Sequence, residues 1–224
     1  MTNEMIEPFE RYDNYESILE QELLEDGIIR ETIGVAEKEG ESIGVVETVF
    51  GDPEDAKNWH LQSERNSCVI ACQEFVAEQL MERDFSEKEM IEYAEKRGWY
   101  DPKKGTAKSD VGNLLEAIGL DVERKSNNSI TDIMQALSDG EKVICGVNSL
   151  ILAEPQFADM PGLNADHAVE FIGVDFSNPK EPRVILNDSG RTDGRAIQHN
   201  LDVFLKAWDT SDNYAVIVGK GTVR

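Results

Sequence analysis

A thiol, an imidazole and a carboxylate stand far apart in the chain, each at a point where a regular element begins or ends. Cysteines and histidines are scarce, three of each in 224 residues. Cys68 follows the polar run Ser63-Glu-Arg-Asn-Ser67 and opens a segment reaching about Met81, in which Val69, Cys72, Phe75, Val76 and Leu80 recur at helical spacing. Asn66 or Ser67 can cap that helix. A thiol in a first helical turn feels the positive end of the helix dipole; with an imidazole nearby its pKa falls and thiolate becomes available. His167 opens the apolar run Ala-Val-Glu-Phe-Ile-Gly-Val-Asp175, which reads as a strand, and Asn187-Asp188 closes another, Val184-Ile-Leu. If these strands pair antiparallel, the start of one lies beside the end of the other, and a carboxylate or an amide meets the imidazole. Gln62, six residues before Cys68, can turn its amide N–H into the same cleft.

Singly, these signals are weak. Free cysteine ranks among the most buried residue types, and a histidine opening a strand is more often structural. The chain order Gln62, Cys68, His167, Asp188, each at a suitable junction, is much harder to reach by chance. Rival groupings are poorer. Cys72, one turn beyond Cys68, reads as core packing ahead of a redox partner, and Cys145 lies inside a Val/Ile-rich strand. Cys68, Cys72 and His167 lack the paired spacing of a zinc site. In Asp188–Gly194 the glycine is misplaced for a calcium loop and no glutamate closes it. No metal or cofactor is expected.

The elements that must position these groups follow from periodicity and punctuation. Ser86-Glu-Lys-Glu89 is a capping box for a second helix ending near Gly98. A third helix starts after Ser109 and stops at Gly119, and a fourth runs from Ser129 to Gly140. Beyond them the pattern turns extended: Lys142–Asn148, His167–Asp175, Arg183–Asp188 and Tyr214–Gly219 read as strands, with a short helix, Leu201–Trp208, between the last two. Helices first and a sheet afterwards describe an α+β domain.

Charge divides the chain. Residues 1–58 carry 17 acidic and 4 basic side chains, so this quarter holds −13 of the net −23. Its first thirty residues read as an acidic helix with a narrow apolar stripe, Ile18, Leu19, Leu23 and Leu24. Glu31-Thr-Ile-Gly-Val-Ala-Glu37 and Glu41-Ser-Ile-Gly-Val-Val-Glu47 flank a turn and suggest a β-hairpin. Gly51-Asp52-Pro53 breaks the pattern, giving an N-terminal extension over 1–58 and a domain over 59–224. So negative a chain disfavours nucleic acid and anionic membrane surfaces as partners. The acidic N-terminus lacks the form of a secretory signal, and the apolar stretch Val143–Ala153 is too short to span a bilayer. With an odd cysteine count and no paired spacing, a cytoplasmic protein with reduced thiols is expected.

Residues 59–219 resemble the papain-like cysteine peptidases, in particular the bacteriocin-processing (double-glycine-leader) peptidases and their stand-alone relatives. The resemblance is carried by Trp59-His-Leu-Gln62 with Asn66-Ser-Cys68, by Asp166-His-Ala-Val169 with Gly173-Val-Asp175, by Asn187-Asp188-Ser-Gly190, and by Leu201-Asp-Val-Phe204-Leu-Lys-Ala-Trp208. It implies an α+β papain-like fold, N-terminal helices on a mostly antiparallel sheet, and a peptide or protein substrate. It further implies Cys68 as nucleophile, His167 as general base, Asp188 as its orienter and Gln62 as oxyanion donor. Papain itself uses an amide as third member, which would suit Asn187. Val69 stands where these peptidases often have glycine, which implies a narrower cleft. Acyl transfer, or glutamine deamidation or cross-linking, would use the same triad. A catalytically silent binding protein is disfavoured by the intact set.

Overall fold

The computed structural model describes residues 49–221. The chain divides into units of residues 1–48 and 49–224; the expected acidic helix and hairpin lie outside the described residues. The second unit is built on one sheet whose strand pairings, among the described residues, are all antiparallel. Its strands are β1 (Val49–Gly51), β2 (Asp121–Lys125), β3 (Lys142–Val147), β4 (His167–Asp175), β5 (Arg183–Asn187), β6 (Ile197–Asn200) and β7 (Ala215–Gly219), in the order β2-β7-β3-β4-β5-β6. β1 continues the line of β3 along β4: β3 pairs with residues 167–171 and β1 with 173–175.

β4 is buried along its length except at its two ends, as expected of a strand with both faces covered. Helix α1 (Cys68–Met81) covers one face: Val69, Cys72, Val76, Ala77 and Leu80 pack with Ile144, Ala168, Val216 and Val218. Side chains alternate along a strand, so Phe171 faces the other way, and there Phe204 of helix α6 (Leu201–Asp209) meets it with ring centroids 5.2 Å apart. The remaining helices are α2 (Glu87–Arg97), α3 (Asn113–Ala117), α4 (Ile130–Ser138) and α5 (Ser149–Ala153). The helix-on-sheet α+β architecture expected from the sequence is the one observed. Among the described residues, no helix is long and apolar enough to cross a membrane.

Most termini follow their capping residues. α1 spans the residues that its periodicity predicts. Ser86 accepts the Glu89 N–H and Gly98 closes α2 in the left-handed region. Ser129 and Asp132 form a reciprocal capping box on α4. α3 is shorter than expected, because Gly112 takes φ +93° just before it, packed so tightly that a Cβ would lie 2.7 Å from Val122. Strands β2 and β6 escape the sequence pattern: both are edges with a single aliphatic residue, Val122 and Ile197.

Residues 49–58, assigned from sequence to the extension, pack onto this sheet. β1 pairs with β4, the Asp52 N–H donates to the Ile172 carbonyl at 2.9 Å, and Asp55 forms an ion pair with Lys142 on β3. Gly51-Asp52-Pro53 is therefore a turn inside the unit, leading into the short 3-10 helix Pro53–Asn58.

Candidate active site

Two strand ends and one helix start converge. Cys68 is the first residue of α1, His167 the first of β4, and Asp188 the first residue after β5. β4 and β5 are direct neighbours, with Glu170 opposite Asn187, so antiparallel pairing carries the end of β5 to the start of β4. The His167 Nε2 lies 2.7 Å from Asp188 Oδ1, which also accepts the Gly190 N–H at 2.9 Å. With Nε2 engaged, Nδ1 is the ring nitrogen left for the thiol, and the imidazole and the Cys68 thiol are close enough for each to shift the other's pKa. Asn187 turns to the opposite side, where it donates to Glu170.

The electrostatics favour an ion pair. Burial opposes ionisation of Cys68, yet the hydrogen bond and charge of His167, with backbone N–H groups of Ala168 and Val69, bring the thiol below its ordinary value. Burial also works against the imidazolium, but bonds to Asp188 and Cys68 outweigh it and raise His167 to about 10. Asp188, resisting its own burial, is held below the usual carboxylate range by His167 and the Gly190 N–H. Cys72 is the reverse case: fully buried, its thiol donates to the Ala168 carbonyl at 3.5 Å and its pKa is pushed far up. Burial likewise pushes Cys145 up.

Gln62 stands at the rim in a held position. Its amide donates both hydrogens to backbone carbonyls, Glu64 at 2.8 Å and Arg65 at 3.0 Å, and its Oε1 accepts from Ser189 Oγ at 3.1 Å. An oxyanion would have to replace one of those two carbonyls. The Gln62 backbone N–H donates to the Ser189 carbonyl at 2.9 Å, and the Trp59 indole donates to the Asp188 carbonyl at 2.8 Å. Segment 59–62 is thus stitched to 188–189, and Arg195 lies over the Trp59 ring. Val69, 8% exposed, packs into the α1 core cluster. The narrowing expected from a branched side chain there is absent, because that side chain points inward.

Sequence reasoning passed over the residues that hold the loop before Cys68. Ser67, at the N-cap, makes no capping bond; its hydroxyl donates to Glu87 at 2.7 Å and accepts the Glu64 N–H at 3.3 Å. Glu87 also accepts the Ser63 N–H at 2.8 Å. His60 pairs with the buried Glu74 at 2.9 Å, and that bond raises the imidazole to about 9. His60, Glu74 and Glu87 are the one group among the described residues whose ligand atoms gather closely enough for a cation. Their hydrogen bonds account for them as a brace under the loop.

No protein-family model matches the chain. The uncharacterized protein Rv1268c of Mycobacterium tuberculosis is 28% identical over 198 residues, covering 76% of this chain and 84% of that protein. Among solved structures, a candidate C39-like peptidase from Bacillus anthracis is 11% identical, with 78% of this chain and 98% of that one covered at a TM-score of 0.58. A double-glycine-motif protease from an AMS/PCAT transporter, solved with its leader peptide, is 12% identical, with 72% and 89% covered at a TM-score of 0.51. These likenesses show a shared scaffold, the papain-like cysteine peptidase fold.

Proposed function

We propose that this chain is a cysteine peptidase acting on a peptide or protein substrate through Cys68, His167 and Asp188. One observation carries the reading: a single imidazole bonds a buried carboxylate through Nε2 and is coupled electrostatically to the helix-start thiol. The Cys68 thiolate attacks the acyl carbon, and the negative charge passes to the former carbonyl oxygen. The backbone N–H of Cys68 and one Gln62 amide hydrogen, released from Glu64 or Arg65, would hold that oxygen. The imidazolium gives its proton to the leaving amine as the C–N bond breaks, and water, deprotonated by His167, then hydrolyses the thioester. Asp188 keeps the ring in the required orientation throughout, the part that the third residue plays in such triads.

An electrophilic peptide probe with intact-mass and peptide mapping tests the assignment, alongside turnover of a peptide library. The expected result is one adduct, on Cys68, and turnover lost in Cys68→Ala. Labelling centred on another residue, or turnover that survives Cys68→Ala, overturns it. The same assay with added amines reads whether water or an amine takes the acyl group.

A further inference from the structure

The residue before Asp188 turns away from the imidazole, yet it is fully buried and closely bonded. Asn187 is 0% exposed. Both hydrogens of its Nδ2 are donated, to Glu170 Oε2 at 2.8 Å and to the Asp55 carbonyl at 3.2 Å. Its Oδ1 accepts the Ala196 N–H at 3.2 Å. The three partners lie on β4, in the 3-10 helix Pro53–Asn58 and immediately before β6. A side-chain amide has donors for the two oxygens and an acceptor for the N–H. Aspartate would instead set oxygen against oxygen at Glu170 and Asp55, and leucine would offer the three partners nothing.

The bond to Ala196 closes a loop. The β5–β6 ladder ends at Leu186 opposite Ile197. Asn187 and Ala196 are next in line, but Ala196 takes φ +47°. Residues other than glycine enter that left-handed region rarely and at a cost, and persist there only when their surroundings hold them. The Asn187 side chain supplies such a hold. Inside the loop the Asp188 N–H donates to the Gly194 carbonyl at 2.9 Å, and the Gly194 N–H donates to the Arg191 carbonyl at 3.2 Å. The crossing is so close that a Cβ on Gly194 would overlap the Asp188 carbonyl oxygen. Asp188 therefore sits in the neck of the loop. Its backbone is held at the N–H by Gly194 and at the carbonyl by the Trp59 indole, and its carboxylate is left to meet His167.

We propose that Asn187 is a positioning residue: by holding the left-handed Ala196 it closes the 188–196 loop around Asp188 and sets that carboxylate against His167. The role rests on the proposed triad, and Asn187 acts only through Asp188. With the neck open, Asp188 moves off the ring, the imidazolium loses its partner, and the Cys68 thiolate loses the charge that stabilises it.

The test uses the pH profile of Cys68 alkylation, which a merely structural residue would not move, with melting temperature followed alongside. Asn187→Leu is close in shape and removes all three bonds. The expected result is a folded variant whose alkylation profile moves to higher pH, in the direction of Asp188→Ala. A variant that melts lower but keeps the wild-type profile overturns the positioning role. Should Asn187→Leu not fold, Gly194→Ala forces the same neck open from the loop side, with the same two outcomes. Hydrogen exchange in the wild type reads the lock itself. The Ala196 amide is expected to be protected, and a protection factor no greater than that of the exposed Arg195 amide overturns the proposal. Asp188→Ala separates the two readings. If it leaves the profile unchanged, the triad reading falls and the positioning role with it; if it shifts the profile while the neck variants do not, only the role of Asn187 falls.

Discussion

Cys68 and Cys72 stand one helical turn apart in opposite electrostatic settings. One thiol is stabilised as the anion by an imidazole and two backbone N–H groups; the other is sealed in the core with its hydrogen on a carbonyl. Iodoacetamide near neutral pH is expected to label Cys68 at least ~10-fold faster than Cys72 or Cys145, since only thiolate reacts. Peptide mapping of partly alkylated protein checks this, and comparable labelling of Cys145 refutes it. Asp188→Ala removes the partner that raises His167, so the alkylation profile of Cys68 is expected to shift to higher pH in a chain that circular dichroism shows folded. The stability that the pair contributes has a window of its own. Asp188 is depressed, so its share is present above the ordinary carboxylate value of 3.8 and is lost as pH falls. His167 is raised, so its share is complete below 6.5 and is lost as pH climbs through about 10. The melting-temperature gap between wild type and Asp188→Ala should therefore be widest near pH 5–6 and close toward either extreme. The sequence placed these residues at element ends, but left Asn187 and Asp188 as alternative partners for the ring. Adjacent strand positions face opposite ways, and which one meets His167 depends on a register that no local pattern encodes.

Among the elements, the turn after β5 is the most exacting. A Cβ on Gly190 would lie 3.0 Å from His167 Cε1 and 3.2 Å from Asp188 Oδ1. Gly190 is itself exposed, so Gly190→Ala is expected to displace the ring more than it harms the fold. Turnover should fall by ~10–100-fold, the scale of a sub-ångström to 1 Å misplacement, with a nearly unchanged melting temperature; unaltered kinetics would show that the turn gives way instead. Gln62 is held by Ser189 of the turn after β5 and by two carbonyls of its own loop, Glu64 and Arg65. Gln62→Ala should lower kcat by ~10²–10³, as for loss of one oxyanion donor, and an unchanged kcat would take Gln62 out of the site. The elements differ in how plainly the chain spells them. α1 is legible because five apolar residues repeat at helical spacing ahead of a polar start. β2 is not, because Asp121-Val-Glu-Arg-Lys125 has charge at every position but one; its place comes from β7 pairing with it. The brace of Ser67, Glu74, Glu87 and His60 is equally hidden, since it joins a loop to two helices through residues whose types are common on any surface.

At the scale of the molecule, the domain claims more of the chain than composition suggests. Val49–Asn58 is acidic like the residues before it, yet it supplies the partner of Lys142 and an acceptor for Asn187. A chain starting at Trp59 is expected to melt several degrees below one starting at Val49, since each buried polar group left without its partner costs about 1–3 kcal/mol. Equal melting temperatures would show that β1 and the 3-10 helix contribute little. The net charge of −23 also implies self-repulsion that salt relieves, but nothing in that number tells a reader where the fold begins. The strand order has a consequence in time. β7 is the last strand in sequence, yet it lies inside the sheet, bonded to β2 on one side and β3 on the other. During synthesis Cys68, His167 and Asp188 all emerge before it, on a chain whose central seam is still open. Contacts of such long sequence separation form late and slowly, and domains of this size fold as units. A nascent chain halted after Asp209 therefore carries all three residues of the proposed triad but has no closed sheet to hold them, and its Cys68 is expected to alkylate as an ordinary thiol.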